Sequence, residues 1–187
     1  MTAKATVRIR DVLVQDLPHA QAIYAHHVLN GLASFEETPP DLAEMHRRYE
    51  ATIAAGYPCI AAESSAPGLA GYAYVGPYRP RPAYRYSVEN SVYIAPESIG
   101  QGIGRVLLAE LIARCTALGY RQMIAVIGDS GNAASIGLHQ SLGFSDAGQV
   151  RSVGFKFGRW VDSVIMQRPL GPGDDDLPTT PPDGWSG

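Results

Sequence analysis

Cysteine is scarce in this sequence, and its placement excludes two classes of site. The 187 residues include only two cysteines, Cys59 and Cys115. Neither belongs to a CxxC motif, and neither has histidines at a spacing typical of metal ligation. The sequence therefore predicts no disulfide framework and no metal site, and both cysteines are expected to be buried small hydrophobes.

A strong excess of charge is also missing, as is any long apolar run. The net charge is -3 and the isoelectric point is near 5.9, which gives no electrostatic attraction to nucleic acid or to an anionic membrane. No apolar run approaches the roughly 20 residues of a membrane span. The first residues, MTAKATVRIR, lack the apolar core of a secretory signal. We therefore expect a cytoplasmic protein with small-molecule partners.

The length and the C-terminal composition predict the domain organisation. A chain of 187 residues fits one well-buried domain better than two. We assign that domain to residues 1–170. The tail at 171–187 is rich in proline, glycine and acidic residues and has no periodicity. It is expected to be disordered or to lie along the surface.

The stretch at 91–120 carries most of the functional information, because a strand, a glycine-rich turn and an amphipathic helix follow one another there. Free N–H groups and the positive end of the helix dipole meet at such a turn, which makes it a site for a phosphate group. A dinucleotide fingerprint does not fit, because the last glycine of G-x-G-x-x-G is replaced by Arg105 or Leu107. The Gly-Lys-Ser or Gly-Lys-Thr of a nucleoside triphosphate loop is absent as well.

Hydrophobic periodicity predicts an α/β domain in which helices and strands alternate irregularly. Asp16 and Asp41 are expected to cap the first two helices. The Arg-, Tyr- and Pro-rich segment at 76–86 is expected to be an exposed, stiff loop, either an ordinary surface loop or a lip of the active site. Helices are predicted over Leu17–Asn30, from the cap at Asp41 to Ala55, over Ile103–Leu118 and over Ala133–Leu142. Strands are predicted over Val7–Arg10, Tyr57–Ala62, Leu69–Val75, Ser87–Ile94, Met123–Ile127 and Val161–Gln167, with a further strand after Phe144.

Several blocks resemble, in order, the GNAT superfamily of acyl-coenzyme A-dependent N-acetyltransferases. They are ENSVYIAPESIGQGIGRVLLAELI at 89–112, IAVIGD at 124–129, NAAS at 132–135 and LHQSLGF at 138–144. Further segments at 34–36, 73–78, 81–84, 87–90 and 154–162 look like the phosphinothricin N-acetyltransferase branch, which includes enzymes that acetylate methionine sulfoximine. The similarity spans about Val7 to Leu170. One departure is Ile99, because the superfamily turn usually begins with arginine or glutamine.

The resemblance implies the GNAT fold and a site for acetyl-CoA. Its fold is a mixed, mostly antiparallel central sheet flanked by helices, with strands that splay apart where acetyl-CoA binds. Asn132 would reach the pantetheine with Ser135 near the coenzyme, although Asn132 also has the place of a helix cap. The backbone of Val92, Tyr93 and Ile94 would pair with the pantetheine arm. The pyrophosphate would be held by the amides of Gly100, Gln101, Gly102, Ile103, Gly104 and Arg105. The side chains of Gln101 and Arg105 are expected to compensate in part for Ile99.

The same resemblance assigns two catalytic residues. Glu89 matches the general base that removes a proton from the substrate ammonium, and its alternative is a strand glutamate that faces solvent or an arginine. His139 would bind substrate or protonate the leaving thiolate, and its alternative is a histidine satisfied within its helix.

Substrate binding is assigned to two loops and the segment between the first two helices. Arg81 and Tyr84 would hold the acid end of an amino-acid-like substrate, and Phe35 would close the pocket unless it is a core residue. Gly154, Phe155 and Lys156 belong to a loop that would help to enclose substrate, across the interface of a homodimer. The implied function is acetyl transfer from acetyl-CoA to the α-amine of a small amino-acid analogue. The alternatives are another amine, such as a polyamine or a protein N-terminus, and a non-catalytic acyl-CoA sensor.

Overall fold

The structure is a computed structural model in which residues 7–63 and 68–183 are described. Within these residues one seven-stranded sheet has the order β1-β2-β3-β4-β5-β7-β6. Of the strand pairs described, only β4 and β5 are parallel, so the expected mixed and mostly antiparallel sheet is confirmed. The strands are β1 (Arg8–Asp11), β2 (Cys59–Glu63), β3 (Leu69–Pro77), β4 (Ser87–Ile94), β5 (Gln122–Gly128), β6 (Ser145–Lys156) and β7 (Arg159–Pro169).

Helices cover the two faces of the sheet unequally. On the front face, which carries Glu89, Ser91 and Tyr93 of β4, the first two helices pack over the strands from β1 to β4. On the back face, which carries Val88 and Asn90, the other two helices pack over the main hydrophobic core. The front face of β5, β7 and β6 is therefore left for the chain between the first two helices. The helices are α1 (Leu17–Asn30), α2 (Leu42–Ala54), α3 (Ile103–Ala117) and α4 (Ala133–Ser141).

The helix caps show one correct and one wrong prediction. The Asp41 side chain accepts from the Glu44 N–H at 2.8 Å, so the predicted cap of α2 is confirmed. The predicted cap of α1 by Asp16 is wrong, since its side chain makes no cap hydrogen bond. The Asp16 carboxylate instead accepts from Arg10 and from the Leu13 N–H. A charged guanidinium outcompetes the neutral N–H groups of the helix for the same oxygens.

Two strands are longer than their sequence patterns predict. β3 continues through Gly76 to Pro77, and proline is tolerated there because it ends the strand. β6 covers twelve residues and is exposed along almost its entire length, so it lacks the alternation that marks a half-buried strand. A turn with positive φ at Phe157 and Gly158 joins it to β7. Most of the turn predicted at 64–68 lies outside the described residues.

The central strands separate in the middle of the sheet. β4 and β5 are paired from Ser87 and Gln122 as far as Asn90 and Ala125. Beyond that point β4 pairs only with β3, and β5 pairs only with β7. The expected splay is therefore present, and we call the opening after Asn90 and Ala125 the fork.

The described part of the tail, 171–183, lies on the surface beside the C-terminal end of α3. Asp183 N–H donates to Leu118 O at 2.9 Å, and Arg121 forms an ion pair with Asp176 at 2.6 Å. Both cysteines are buried and free. Among the described residues, no helix is long and apolar enough to cross a membrane.

Candidate active site

The fork leaves one edge of β4 free to bind an extended chain. Backbone groups of alternate residues point to opposite edges of a strand. A Cβ added to Gly71 of β3 would lie 2.8 Å from Tyr93 O, which places that carbonyl on the β3 side. The N–H and C=O groups of Val92 and Ile94 therefore point to the open side. There the Ile94 carbonyl is within 2.8 Å of His27 Nε2 of α1.

The glycine-rich turn offers a row of unpaired amides at the start of α3. Within the described part of the chain, the N–H groups of residues 100–104 have no hydrogen-bond acceptor. Gly100 and Gly102 both have φ of +80°, and an added Cβ at either would meet nothing within 4 Å. Such consecutive free amides at a helix N-terminus suit the pyrophosphate of a coenzyme. Residues 100–104 therefore fit the pyrophosphate of acetyl-CoA, which the sequence resemblance implies at this turn.

The side chains of this turn are less available than its backbone. The Arg105 N–H donates to Gly102 O within the helix, and its guanidinium binds the carbonyl and hydroxyl oxygens of Ser141. Gln101 Nε2 donates to Glu97 O at 2.9 Å. Ile99, in the position usual for arginine or glutamine, is 61% exposed. The side chains of Gln101 and Arg105 are therefore engaged within the protein, and neither replaces the polar side chain that is usual at the position of Ile99.

Asn132 occupies the N-cap of α4. Its side-chain oxygen accepts from the Ser135 N–H at 3.1 Å, so the cap that the sequence offered as one role is present. The pantetheine contact remains a prediction. Because the cap fixes the oxygen, the amide N–H groups of Asn132 are the part left to meet a ligand.

Glu89 lies on the front face at the start of the fork. Its neighbours in the sheet are Gly76 of β3 and Ile124 of β5. A Cβ on Gly76 would meet nothing within 4 Å, so open space adjoins the carboxylate. Burial raises the pKa of Glu89, while the charge of Arg79 acts in the opposite direction. Within the described residues the carboxylate forms no hydrogen bond or ion pair, which leaves it free to accept a proton.

The loop after β3 brings cations and tyrosines to this side of the sheet. Arg81 and Tyr84 are exposed, with Arg81 directly before the short 3₁₀ turn at Pro82–Tyr84 and Tyr84 at its end. The Tyr84 ring packs edge-on against Tyr78 at 5.7 Å, and the Arg79 guanidinium lies 5.2 Å from the centre of the Tyr78 ring. Arg79 is the arginine whose charge acts on Glu89. Both arginines lie in the segment that the sequence offers as a lip of the active site, but only Arg81 was assigned to substrate binding.

Phe35 closes the far end of the front face. Its ring lies over two glycines, since an added Cβ would be 2.6 Å from Phe35 Cε2 at Gly154 and 3.2 Å from Phe35 Cε1 at Gly128. Glycine at both positions lets the chain between α1 and α2 approach the sheet. Phe35 is 42% exposed, which argues against the alternative of an ordinary core residue.

A buried lysine anchors the same segment. Lys156 of β6 is 2% exposed, and its ammonium donates to Gly31 O at 3.0 Å and to Ser34 O at 2.7 Å. Burial lowers the pKa of Lys156. The contacts span more than 120 residues of sequence, so no local pattern could have indicated them.

Phe155 points away from the site of its own chain. Gly154 and Lys156 face Phe35 and its segment, and Phe155 lies between them on the opposite face. There its ring packs against Trp160 at 5.3 Å. Within one chain the structure therefore does not bring Phe155 to Glu89.

His139 also lies on the opposite side of β4 from Glu89. It is 4% exposed, packs edge-on against Phe144 at 4.9 Å, and contacts Asn90 Oδ1 through Nε2 at 3.0 Å. Its neighbour Asn90 is the last β4 residue paired with β5. Glu89 and His139 thus approach the fork from the front and the back. No role was predicted for Asn90. The available signal was its place directly after Glu89, one of the two catalytic candidates.

Comparison with known proteins identifies the family. The model of the acetyltransferase (GNAT) domain matches residues 9–165. The chain is 57% identical over 94% of its length to the phosphinothricin N-acetyltransferase of Alcaligenes faecalis, covering 89% of that protein. It is 47% identical over 88% of its length to the L-methionine sulfoximine/L-methionine sulfone acetyltransferase of Pseudomonas paraeruginosa, covering 95% of it.

A solved structure agrees with both sequence comparisons. The phosphinothricin acetyltransferase of Sinorhizobium meliloti, in complex with AcCoA, superposes with a TM-score of 0.89 at 48% identity. The match covers 97% of this chain and 95% of that protein. With its splayed sheet and free amides at the start of α3, the chain belongs to the GNAT acetyltransferase family.

Proposed function

We propose that this protein transfers the acetyl group of acetyl-CoA to the α-amine of a small amino-acid analogue of the phosphinothricin or methionine sulfoximine type. The transfer is direct, in a ternary complex without an acetylated enzyme. The single observation that carries the proposal is the free, half-buried carboxylate of Glu89 at the start of the fork, in a chain that also has a row of free amides at 100–104.

The coenzyme is held mainly by the backbone. Val92 and Ile94 present the unpaired edge of β4 to the pantetheine, as a strand does in β-augmentation. The amides at 100–104 take the pyrophosphate. Acetyl-CoA supplies an activated thioester. Because the cradle consists of backbone N–H groups, Ile99 at the start of the turn does not abolish it.

Glu89 supplies the base for the reaction. Its carboxylate takes a proton from the substrate ammonium, and the neutral amine then attacks the thioester carbonyl. A pKa raised by burial makes Glu89 a better base than an exposed glutamate. As the C–S bond breaks, the leaving thiolate takes a proton, for which His139 is the candidate donor on the back of the fork.

The substrate's acid end is bound by the loop after β3. The charge of Arg79 acts on Glu89, and Arg81 lies two residues further along the same loop. A guanidinium group binds a carboxylate or a phosphinate through two parallel hydrogen bonds. The aromatic rings of Tyr84 and Phe35 form apolar walls of the substrate pocket. This arrangement favours an amino acid over a polyamine, which would bring only positive charge.

The test is coenzyme A release from acetyl-CoA with matched amines. We expect release with phosphinothricin and methionine sulfoximine, and much slower release with spermidine or with a peptide that has a free N-terminus. Faster release with either of the last two would support a different GNAT substrate. Binding of acetyl-CoA without release for any amine would support the sensor.

The proposal includes a homodimer formed by the β6–β7 hairpin. Large apolar side chains are exposed there, with Phe155 at 56%, Phe157 at 59% and Trp160 at 65%. Burying such a group between two chains is favourable, and it would let Phe155, which faces away from its own cleft, enclose substrate in the second chain. Sedimentation velocity is expected to show a dimer that Trp160→Lys weakens and that Leu29→Lys, at an exposed site on α1, leaves intact. A wild-type monomer at assay concentration would contradict this.

A further inference from the structure

The loop at 129–132 joins β5, on one side of the fork, to α4. Its first residue, Asp129, has φ of +72°. This conformation costs free energy for a residue with a side chain, and it persists where the surrounding structure holds it. The Asn132 N–H at the end of the loop donates to Asp129 O at 3.0 Å. The place of Asn132 therefore depends on what holds the start of the loop.

Asp162 of β7 holds the start of this loop with its main chain and with its side chain. The Asp129 N–H donates to Asp162 O at 2.9 Å, which extends the pairing of β5 with β7 by one hydrogen bond. The Ser130 hydroxyl donates to Asp162 Oδ2 at 2.7 Å. Two consecutive loop residues are therefore bound to one residue of β7, the second of them through the carboxylate.

The Asp162 carboxylate is itself fixed by β6. The Ser152 N–H donates to Oδ1 at 2.8 Å, and Gln149 Nε2 donates to Oδ2 at 2.6 Å. Ser152 has φ of +49° and lies where the pairing of β6 with β7 is irregular, between Val150 and Gly154. Such a bulge leaves a residue unpaired with the neighbouring strand. Here the N–H of that residue binds the carboxylate that holds the loop.

The charge of Asp162 lets it accept from all of these donors. The hydrogen bond from Ser152 is the main cause that lowers the pKa of Asp162, followed by the one from Ser130. Asp162 is therefore ionised at neutral pH, and both of its oxygens are acceptors. A second contact between β7 and the loop is the ion pair of Arg159 with Asp129 at 2.9 Å. The Arg159 side chain is 56% exposed, and an ion pair so open to solvent contributes little.

We propose that Asp162 is a positioning residue for coenzyme binding, which holds the β5–α4 loop through Ser130 and so places Asn132 at the fork. Asn132 follows this loop directly and caps α4. Asp162 acts through the loop and does not contact the coenzyme. The inference rests on the acetyl-CoA site of the proposed function and on the predicted contact of Asn132 with the pantetheine. No local pattern indicates the role, since Ser130 and Asp162 are 32 positions apart.

The direct test is amide hydrogen exchange of the full chain, measured by NMR without coenzyme. Asp162→Leu keeps the bulk but removes both accepting oxygens, and Ser130→Ala removes the donor. Ser130 is exposed, so its replacement is expected to leave folding intact. In each variant we expect the Asn132 N–H to exchange at least about fivefold faster than in the wild type. Unchanged exchange in both variants would overturn the proposal.

Three further variants test whether the bond between Ser130 and Asp162 is responsible. Gln149→Ala removes one donor of β6 but leaves the Ser152 N–H on the carboxylate, and Arg159→Met removes the exposed ion pair. Exchange at Asn132 is expected to stay within about twofold of the wild type in both. The double variant of Ser130→Ala with Asp162→Leu is expected to match Asp162→Leu alone. An effect of Gln149→Ala or Arg159→Met as large as that of Ser130→Ala, or additive effects in the double variant, would contradict the proposal.

Calorimetry with coenzyme A tests the consequence for binding. Ser130→Ala and Asp162→Leu are each expected to raise the Kd by about fivefold, and the KM for acetyl-CoA is expected to rise equally with kcat within about twofold of the wild type. Asn132→Ser, which keeps a capping oxygen but removes the amide N–H groups, is expected to raise the Kd in the same way. A wild-type Kd in Asn132→Ser would refute the coenzyme role of Asn132 and with it the proposal.

The same measurements distinguish a failure of this inference from a failure of the proposed function. If the wild type binds coenzyme A and Asp162→Leu binds it equally well, the positioning role of Asp162 falls and the proposed function stands. If the wild type does not bind coenzyme A, the proposed function falls, whatever the exchange rates at 129–132.

Discussion

Two adjacent residues of β4 face the two sides of the fork. The side chains of Glu89 and Asn90 point to opposite faces of the sheet. Glu89 faces the substrate side with its carboxylate free, and Asn90 faces α4 and holds His139. Because the sheet opens at this point, a thioester in the fork is accessible to both faces. In the reaction that we propose, a proton is removed from the amine on the Glu89 side of the sheet and supplied to the thiolate from the His139 side.

Replacement of Glu89 by glutamine tests the residue that carries the proposed chemistry. We expect Glu89→Gln to lower kcat by about 100-fold or more, because the amide cannot take a proton from the ammonium. Acetyl-CoA binding, measured by calorimetry, is expected to stay within about twofold of the wild type, since the cradle at 100–104 is untouched. Full turnover in this variant would remove Glu89 from the mechanism.

The pH dependence follows from the direction of the Glu89 shift. Burial raises the pKa of Glu89 above its usual 4.5, so the base is lost by protonation as the pH falls through that raised value. We expect the acid limb of kcat/KM to lie above the pKa of an ordinary glutamate and to disappear in Glu89→Gln. A raised carboxyl pKa means that the ionised form is disfavoured by folding, so Glu89→Gln is expected to be at least as stable as the wild type.

At the scale of elements, the segment between α1 and α2 is held on the sheet by close approach. Leu32 O would be 2.1 Å from a Cβ at Gly128, and the Phe35 ring presses on Gly128 and Gly154. The Lys156 ammonium of β6 donates to the carbonyls of Gly31 and Ser34 in this segment. The position of Phe35 over the front face therefore depends on contacts from β5 and β6, and not on its own sequence.

Gly128→Ala is expected to displace this segment. The added Cβ meets backbone at Leu32, which cannot move aside as a flexible side chain can. We expect the KM for the amine to rise by about tenfold or more, with the KM for acetyl-CoA nearly unchanged. Gly137→Ala is the matched control, because Gly137 lies in α4 and an added Cβ meets nothing within 4 Å. That control is expected to be active and more stable by up to about 1 kcal/mol. Equal effects of the two changes on the amine KM would refute the role of close approach.

The sequence predicts helices and strands whose pattern lies within the element itself. It does not predict features that depend on contacts between residues far apart in the chain. The helix predicted over Ile103–Leu118 is confirmed, with α3 at Ile103–Ala117, because helical periodicity is a local signal. The length of β6 was missed because an edge strand exposed on both faces has no alternation.

The candidate site also divides into features that a local sequence pattern predicts and features that depend on distant contacts. The glycine-rich turn was found because its glycines are consecutive in sequence. The hydrogen bonds of Lys156 to the segment between α1 and α2 and the Asn90–His139 contact were not predicted, because each joins segments that only the fold brings together. The direction of Phe155 depends on the register of β6, which the sequence does not define.

At the scale of the whole molecule, an ion pair near the start of the domain couples stability to pH. Asp16 is 6% exposed and accepts from Arg10 and from the Leu13 N–H at 2.8 Å. The Arg10 hydrogen bond is the main cause that lowers the pKa of Asp16 below its usual 3.8. Arg10 also binds Glu63 of β2, so the pair links the first strand to its neighbour.

The sign of this coupling follows from the lowered pKa. The stabilisation from Asp16 is fully present above about its unfolded pKa of 3.8 and is lost as the pH falls through the lower folded value. We expect Asp16→Asn to be less stable than the wild type at neutral pH, with the difference shrinking below that window. Urea unfolding across acidic and neutral pH measures it. A difference that does not change with pH would contradict the account.

The central claim is that an amine is acetylated at the fork, with Glu89 as its base. The most direct measurement is a crystal structure of the chain with coenzyme A and phosphinothricin, a combination that cannot react. We predict the pantetheine along Val92 and Ile94, the pyrophosphate at the amides of 100–104, and the amine nitrogen about 3 Å from the Glu89 carboxylate, directly or through one water. Coenzyme A bound elsewhere, or an amine out of reach of Glu89 while its acid end is bound, would contradict the claim.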